Sequence, residues 1–179
     1  MKNGATPSRS NLSYWNSKDI PWLKTGEVSN NVIFDTEEYI SEKGYKNSST
    51  KLIPKDSVLM AMYGATAGQL AYLKKEVTTN QACCAMISSN KKRSAFLYYA
   101  LLNQQKRIET MAIGGAQPNL SKLIVENLSL VIPENLDDLI ENKFSGIIDL
   151  KAAKTLENIK LVQFQSLLLA RMAREEKKL

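Results

Sequence analysis

Histidine does not occur anywhere in the 179-residue chain, and its absence removes several kinds of chemistry at once. Without an imidazole there can be no histidine-based general acid or base, no Ser-His-Asp triad and no histidine metal ligand. Acidic residues are present at Asp35, Glu37, Glu38, Glu42 and Asp56, but a carboxylate run of this kind is usually a solvated face. The composition therefore favours a binding module over an enzyme, and it predicts no catalytic residue, no metal site and no cofactor.

Glycine-rich cofactor signatures are missing as well. The loop Gly64-Ala-Thr-Ala-Gly68 lacks both the Lys-Ser/Thr pair of a P-loop and the three glycines of a dinucleotide fingerprint. A tight turn is therefore its simplest interpretation. No Asn/Asp-Pro-Pro-aromatic sequence occurs either, which argues against methyl transfer by this chain.

The chain has two cysteines, Cys83 and Cys84, which are adjacent within an apolar run. Vicinal cysteines rarely form a useful structural disulfide, so we expect buried free thiols in a reducing cytoplasm. No apolar run approaches the roughly 18–20 residues of a membrane span, and no secretory signal is seen at the start. The sequence predicts a cytoplasmic protein with no membrane partner.

Short apolar runs separated by polar turns predict an α+β fold with a mixed sheet for residues 1–133. The runs at 58–63, 70–73 and 82–87 predict buried strands, and 128–132 predicts another.

Helices are expected at three places in the same part of the chain. Residues 94–111 show helical spacing of apolar residues, and Ser121 can cap a short helix that follows it. The Thr36 hydroxyl can cap another short helix that carries Tyr39 and Ile40.

Residues 134–178 contain no proline, which predicts one long helix over 134–179, separate from the domain at 1–133. Such a helix would be roughly 65 Å long, so much of it must project and find a partner. Apolar residues recur with coiled-coil a/d spacing, although Lys154 interrupts the row. The predicted dimerisation seam is Ile140, Ile147, Leu150, Leu161, Phe164 and Leu168. The alternative is that the helix folds back on its own domain.

Charge is distributed unevenly along the chain. Residues 1–133 carry 16 basic and 10 acidic residues and so hold the whole net charge of +6. A basic domain joined to a neutral rod suggests a polyanion-binding surface on the domain and a protein interface on the rod. Within the rod, residues 134–150 have a net charge of −4 and residues 151–179 one of +4. This gradient suits an antiparallel partner of the same sequence.

Seven segments resemble, in order, the specificity (S) subunit of type I restriction–modification enzymes. They are GATPSR (4–9), DIPWLKTGEV (19–28), TEEYISEKG (36–44), SSTKLIPK (48–55), VLMAMYGATAG (58–68), TNQACCA (79–85) and GGAQPNL (114–120). Together with the long helix, the resemblance covers nearly the whole chain.

The resemblance implies a non-catalytic target recognition domain that reads one half of a split site on double-stranded DNA, followed by a helical spacer. Such subunits hold methyltransferase (M) subunits, and through them restriction (R) subunits, on DNA. A usual S subunit has two recognition domains and two spacer helices, so this chain is similar to half of one. A second copy, or another S half, is the expected partner. Relatives usually have a strand before the G-x-T-P-S motif, where this chain has three residues.

Phosphate contacts require Lys or Arg, and base reading requires side chains that donate and accept hydrogen bonds in a groove. The predicted DNA-binding residues are Arg9, Lys24, Thr25, Lys46, Ser48, Lys74, Lys75, Gln117 and Asn119. Alternatively, any one of them is an ordinary solvated surface residue. For Gln117 and Asn119 a further alternative is that they only stabilise their own loop.

Two other functions stay open from the sequence. The chain can be a free-standing DNA-binding or regulatory fragment that joins no enzyme. A nuclease with an unrecognised carboxylate site would instead show metal-dependent cleavage that is lost on mutation of Asp56 or Glu42.

Overall fold

The computed structural model describes residues 1–112, 119–135 and 143–176. It confirms an α+β fold with two β-sheets, short helices and one long helix at the C-terminal end. The strands are β1 Lys2–Asn3, β2 Ile20–Leu23, β3 Asn31–Ile33, β4 Glu38–Ile40, β5 Val58–Ala61, β6 Leu70–Leu73, β7 Thr78–Thr79 and β8 Cys83–Met86.

The larger sheet has the strand order β1-β8-β5-β6-β3. β5 pairs antiparallel with β8 and with β6, whereas β3 runs parallel to β6. Every residue of β5, β6 and β8 is buried, because apolar layers cover both faces of this sheet. Tyr98 and Ile148 belong to the layer on one face, and Leu23 and Ile53 belong to the layer on the other.

The smaller sheet has the strand order β4-β2-β7. β2 pairs antiparallel with β4 and parallel with β7. Trp22, in β2, is almost fully buried, as expected for a packing residue, and its indole nitrogen donates to the Ala5 carbonyl at 3.1 Å.

The described residues of the domain also form four α-helices: α1 Glu42–Lys46, α2 Lys91–Asn103, α3 Gln105–Thr110 and α4 Lys122–Glu126. The predicted helix at 94–111 is therefore two helices that meet at Gln104. The Ser121 cap is confirmed, since its hydroxyl accepts from the Ile124 amide at 3.2 Å.

Two sequence predictions of secondary structure are wrong. Thr36 does not cap a helix: its hydroxyl donates to the Glu38 carbonyl, and residues 38–40 form β4 against β2. Tyr39 and Ile40 suit a strand, and it is Ser41 that caps the following α1. Residues 128–132 are mostly apolar but form no strand and belong to neither described sheet. Leu128 and Leu130 pack against the core, whereas Val131 and Ile132 are exposed.

Both cysteines are free and buried in β8, as predicted. Burial raises the pKa of the Cys83 thiol to about 12. These thiols are therefore protonated and unreactive at neutral pH.

The long helix α5 spans Phe144–Glu176, which is 33 residues or roughly 50 Å. Ile148 and Ala152 are buried against the domain, whereas residues 156–174 are all exposed. Only the base of the helix therefore folds back on its own domain, and the rest projects. None of the described helices combines the length and apolarity that crossing a membrane would need.

Among the glycines that the structure describes, Gly4 has the closest backbone neighbour, and it gives a first prediction. A Cβ built there would lie 2.0 Å from the Thr79 carbonyl oxygen, a backbone atom that cannot move aside cheaply. We expect Gly4→Ala to lower the free energy of unfolding by at least about 2 kcal/mol. Denaturant titration measures this, and Gly26→Ala is the matched control because a Cβ at Gly26 meets nothing within 4 Å. Equal midpoints for the two variants would contradict the expectation.

Candidate nucleic-acid surface and helix interface

Arg9 lies at the centre of an exposed basic and aromatic cluster. Its guanidinium stacks on the Trp15 ring, 3.6 Å from the centroid, and lies 4.7 Å from that of Trp22. The same guanidinium donates to a Glu38 carboxylate oxygen at 2.5 Å. Because the stacking surface and the carboxylate hold the side chain in one orientation, Arg9 is preorganised at the surface.

Lys24 joins this cluster through the same carboxylate. Its ammonium lies 2.7 Å from Glu37 and 3.2 Å from Glu38. The hydrogen bond from Arg9 lowers the pKa of Glu38, and the hydrogen bond to Glu37 raises the pKa of Lys24. Two predicted phosphate-binding cations are thus paired with two carboxylates in the DNA-free protein.

Lys75 lies at the other end of the same acidic segment. Its ammonium is 2.8 Å from Asp35, and the Tyr39 hydroxyl donates to the same carboxylate oxygen. Residues 35–38 therefore connect Lys75 with Lys24 and Arg9.

Lys74 has different partners from the adjacent Lys75. Its side chain is only 16% exposed, and its ammonium lies 2.8 Å from Asp149 of α5. The structure thus places Lys74 at the base of the long helix, where its carboxylate partners are Asp149 and Asp56. Its DNA contact remains a prediction.

The remaining predicted DNA-binding residues have mostly local contacts. The Thr25 hydroxyl donates to Asn80 at 2.8 Å, Lys46 pairs with Glu42 at 3.4 Å, and the Ser48 hydroxyl donates to the Tyr45 carbonyl at 3.4 Å. Asn119 is exposed and forms an isolated β-bridge with Tyr63. Gln117 lies outside the described residues.

Sequence reasoning missed the partners of these cations. It assigned Glu37 and Glu38 to a solvated face, whereas both form ion pairs with Arg9 or Lys24. The spacing of charges carries no signal for these pairs, because Arg9 and Glu38 are 29 residues apart. Among the described residues no group of three or more Cys, Asp or Glu side chains is placed to hold a metal ion.

The predicted seam of α5 is exposed along its described length. Ile147, Leu150, Leu161, Phe164 and Leu168 are between 45% and 62% exposed. Ile140 lies outside the described residues. An unpartnered apolar row of this length is unusual on a monomeric protein.

A second apolar side runs along the outer half of the same helix. Ile159 and Val162 continue the line of Ile148 and Ala152 beyond the edge of the domain, and Leu167 lies nearby. All three are at least 40% exposed. A helix that is apolar on more than one side is normally buried among several partners.

The described residues thus present two surface features: a basic, aromatic loop surface on the domain and uncovered apolar sides on a projecting helix. Residues 1–161 match the family model described as the type I restriction modification DNA specificity domain. The chain therefore belongs to this family, which confirms the resemblance seen in the sequence.

Relatives and solved structures agree with this assignment. The chain is 28% identical over 178 residues to the type I restriction enzyme HindI specificity subunit of Haemophilus influenzae, covering 97% of this chain and 38% of that protein. It is 31% identical over 81 residues to the EcoR124I/EcoR124II specificity subunit of Escherichia coli, covering 44% of this chain and 20% of that protein. The chain thus spans about a fifth to two fifths of the curated relatives it matches.

The crystal structure of a type I restriction–modification S subunit from M. genitalium has the same fold. The TM-score is 0.65 at 15% identity, with 91% of this chain and 39% of that chain covered. A structure described as the basis of complex assembly and conformational transition of the type I R-M system matches with a TM-score of 0.55, also at 15% identity. That match covers 91% of this chain and 40% of the other.

Proposed function

We propose that this chain is a non-catalytic recognition subunit of a type I restriction–modification system. In this proposal residues 1–133 bind one half of a bipartite site on double-stranded DNA, and residues 134–179 form the spacer and dimerisation helix. Family membership supports the DNA-recognition role. The observation that carries the assembly role is the exposed apolar seam of α5.

The DNA-facing surface is proposed to centre on Arg9 and Lys24, with Lys75 at its border. In the free protein these cations are held by carboxylates, which keeps their side chains ordered. A DNA phosphate would replace Glu37 or Glu38 as the partner, so binding exchanges one ion pair for another. Such exchange makes affinity depend strongly on salt.

The helix is proposed to pair antiparallel with the helix of a second copy. Antiparallel pairing brings the net charge of −4 in residues 134–150 near the +4 in residues 151–179 of the partner. A two-fold axis between identical domains would then place two identical half-sites as an inverted repeat. Another S half with a similar helix is the alternative partner.

The second apolar side of α5 is proposed to recruit methyltransferase subunits and, through them, restriction subunits. A single partner helix can cover the seam but leaves Ile159, Val162 and Leu167 uncovered, because they lie away from it on the helix surface. Further helices must pack there for these side chains to be buried.

Selection from a pool of random DNA duplexes tests the recognition role. We expect the purified native chain to enrich two identical, inverted half-sites at one fixed spacing. Enrichment of a single uninterrupted site would contradict the dimer model, and recovery of no sequence preference would contradict the recognition role.

A second measurement separates this proposal from a free-standing DNA-binding fragment. Co-expression with a methyltransferase subunit of the same type of system should give a stable complex by size-exclusion chromatography. DNA binding without that complex would instead support the free-standing fragment.

A further inference from the structure

We propose that a charged clamp at the base of α5, formed around Asp149 and Lys151, positions the helix on the recognition domain and so sets the distance between half-sites. The inference rests on the proposed function, because the distance matters only if two domains bind one DNA molecule. The clamp is a positioning device, and none of its residues is proposed to contact a base.

Asp149 bridges two lysines from different parts of the domain. Lys74, just after β6, lies 2.8 Å from its carboxylate, and Lys91, at the start of α2, lies 3.0 Å away. Lys74 is also 4.0 Å from Asp56, which accepts from the Tyr72 hydroxyl. The hydrogen bond from Lys74 lowers the pKa of Asp149, so the carboxylate stays ionised at neutral pH.

Lys151 is anchored on the neighbouring side of the helix base. Its ammonium donates to the Asn30 carbonyl at 2.7 Å and to the Tyr98 hydroxyl at 2.8 Å. Asn30 has a left-handed backbone, with φ of 56°, and its side chain joins β6 and α3 by accepting from the Leu70 amide and donating to Gln105. Lys151 therefore binds the domain at the residue that links β6 and α3.

Two contacts at different angles around the helix axis resist rotation as well as tilt. Ile148 and Ala152 flank the two residues in sequence, and these buried apolar residues hold the helix against the domain without selecting an angle tightly. Apolar burial is non-directional, whereas charge-assisted hydrogen bonds require specific geometry. The ion pairs of Asp149 and the hydrogen bonds of Lys151 are thus the contacts that select one angle.

Small changes of this angle would be amplified along the helix. From residue 152 to 176 the helix extends roughly 36 Å, so a tilt of about 10° moves its end by roughly 6 Å. That displacement approaches two base-pair steps of about 3.4 Å each. A loosened clamp would therefore let the two domains reach half-sites at more than one spacing.

Spin-label distances within one chain test the clamp without DNA. Labels are attached at Lys51→Cys on the domain and Gln163→Cys on the helix, both exposed, while the buried Cys83 and Cys84 stay unlabelled. Dilution into unlabelled chains restricts the measurement to distances within a chain. We expect a narrow distribution for the native chain and one at least about twofold broader for Asp149→Asn with Lys151→Met.

The matched control is Glu157→Gln, which removes a carboxylate from the same helix but, within the described part of the chain, breaks a pair with Lys154 alone. Its distribution should remain narrow. High salt should broaden the native distribution and leave that of the double variant unchanged, since screening acts only where the charges remain. If the double variant does not fold, Asp149→Asn alone is compared with the control. Equal widths in all variants would overturn the clamp.

Selection from random duplexes then tests the consequence for DNA. The clamp variant should recover the native half-sites at two or more spacings. Recovery at a single spacing by a variant with broadened distances would overturn the link to spacing. Failure of the native chain to recover any split site would instead contradict the proposed function. The spin-label distances would still test whether the clamp holds the helix.

Discussion

Introducing lysine at both Ile147 and Leu161 is expected to convert the protein from a dimer to a monomer. Both side chains are about half exposed in the single chain and would be buried in the proposed helix pair. Two lysines per chain would place four charges in an apolar seam, where they are costly because they have no partners. Sedimentation equilibrium should give the mass of one chain, 20.0 kDa, where the native chain gives about twice that value.

Gln163→Lys provides the matched control for Leu161→Lys. It adds the same charge only two residues away, but on the opposite side of the helix, outside the seam. This variant should remain dimeric. A native mass of one chain would reject self-pairing and indicate another S half or the methyltransferase as the partner of the helix, and an unchanged dimer in the double lysine variant would reject the seam.

Alanine at both Arg9 and Lys24 should cause the largest loss of DNA affinity. Each lost phosphate contact is expected to flatten the plot of log affinity against log salt by about 0.9 and to weaken binding by about tenfold at moderate salt. Fluorescence anisotropy at several salt concentrations measures both quantities. An unchanged slope would remove these two residues from the interface.

Two controls distinguish the effect of losing these local contacts from the effect of lowering the net charge. Alanine at Lys106 and Lys160 removes the same charge from exposed positions outside the cluster and should change affinity little. Glu38→Gln removes the carboxylate partner of Arg9. It should strengthen DNA binding by a few fold, because no Arg9–Glu38 ion pair then has to break before Arg9 contacts a phosphate. Weaker binding by this variant would indicate that Glu38 itself contacts a base or orients Arg9 for the DNA.

Much of the fold was predictable because its signals are local. The runs in β5, β6 and β8 are apolar throughout, which is typical of strands covered on both faces. Ser121 precedes a short apolar segment and caps it as expected. The prediction at 36–40 failed because residues 38–40 pair with β2, which is a distant part of the chain. The prediction at 128–132 failed because Leu128 and Leu130 pack against the core without pairing with a strand, and this too depends on distant residues.

The candidate site was less predictable than the fold. Arg9 and Lys24 were named from residue type and from the resemblance, but their common partner Glu38 was not. Lys74 and Lys75 are adjacent in sequence and had been assigned one role. In the structure Lys75 pairs with Asp35, whereas Lys74 pairs with Asp149, which lies 75 residues beyond Lys74 in the sequence.

The family, the buried strands, the basic character of the domain and the long helix follow from the order and short-range spacing of residues, so the sequence is enough to predict them. Which cations are paired, which part of α5 is covered and how its base is held become visible only in the folded chain. These features depend on contacts between residues far apart in sequence, such as Lys151 with Asn30, and the geometry of such contacts exists only once the chain has folded.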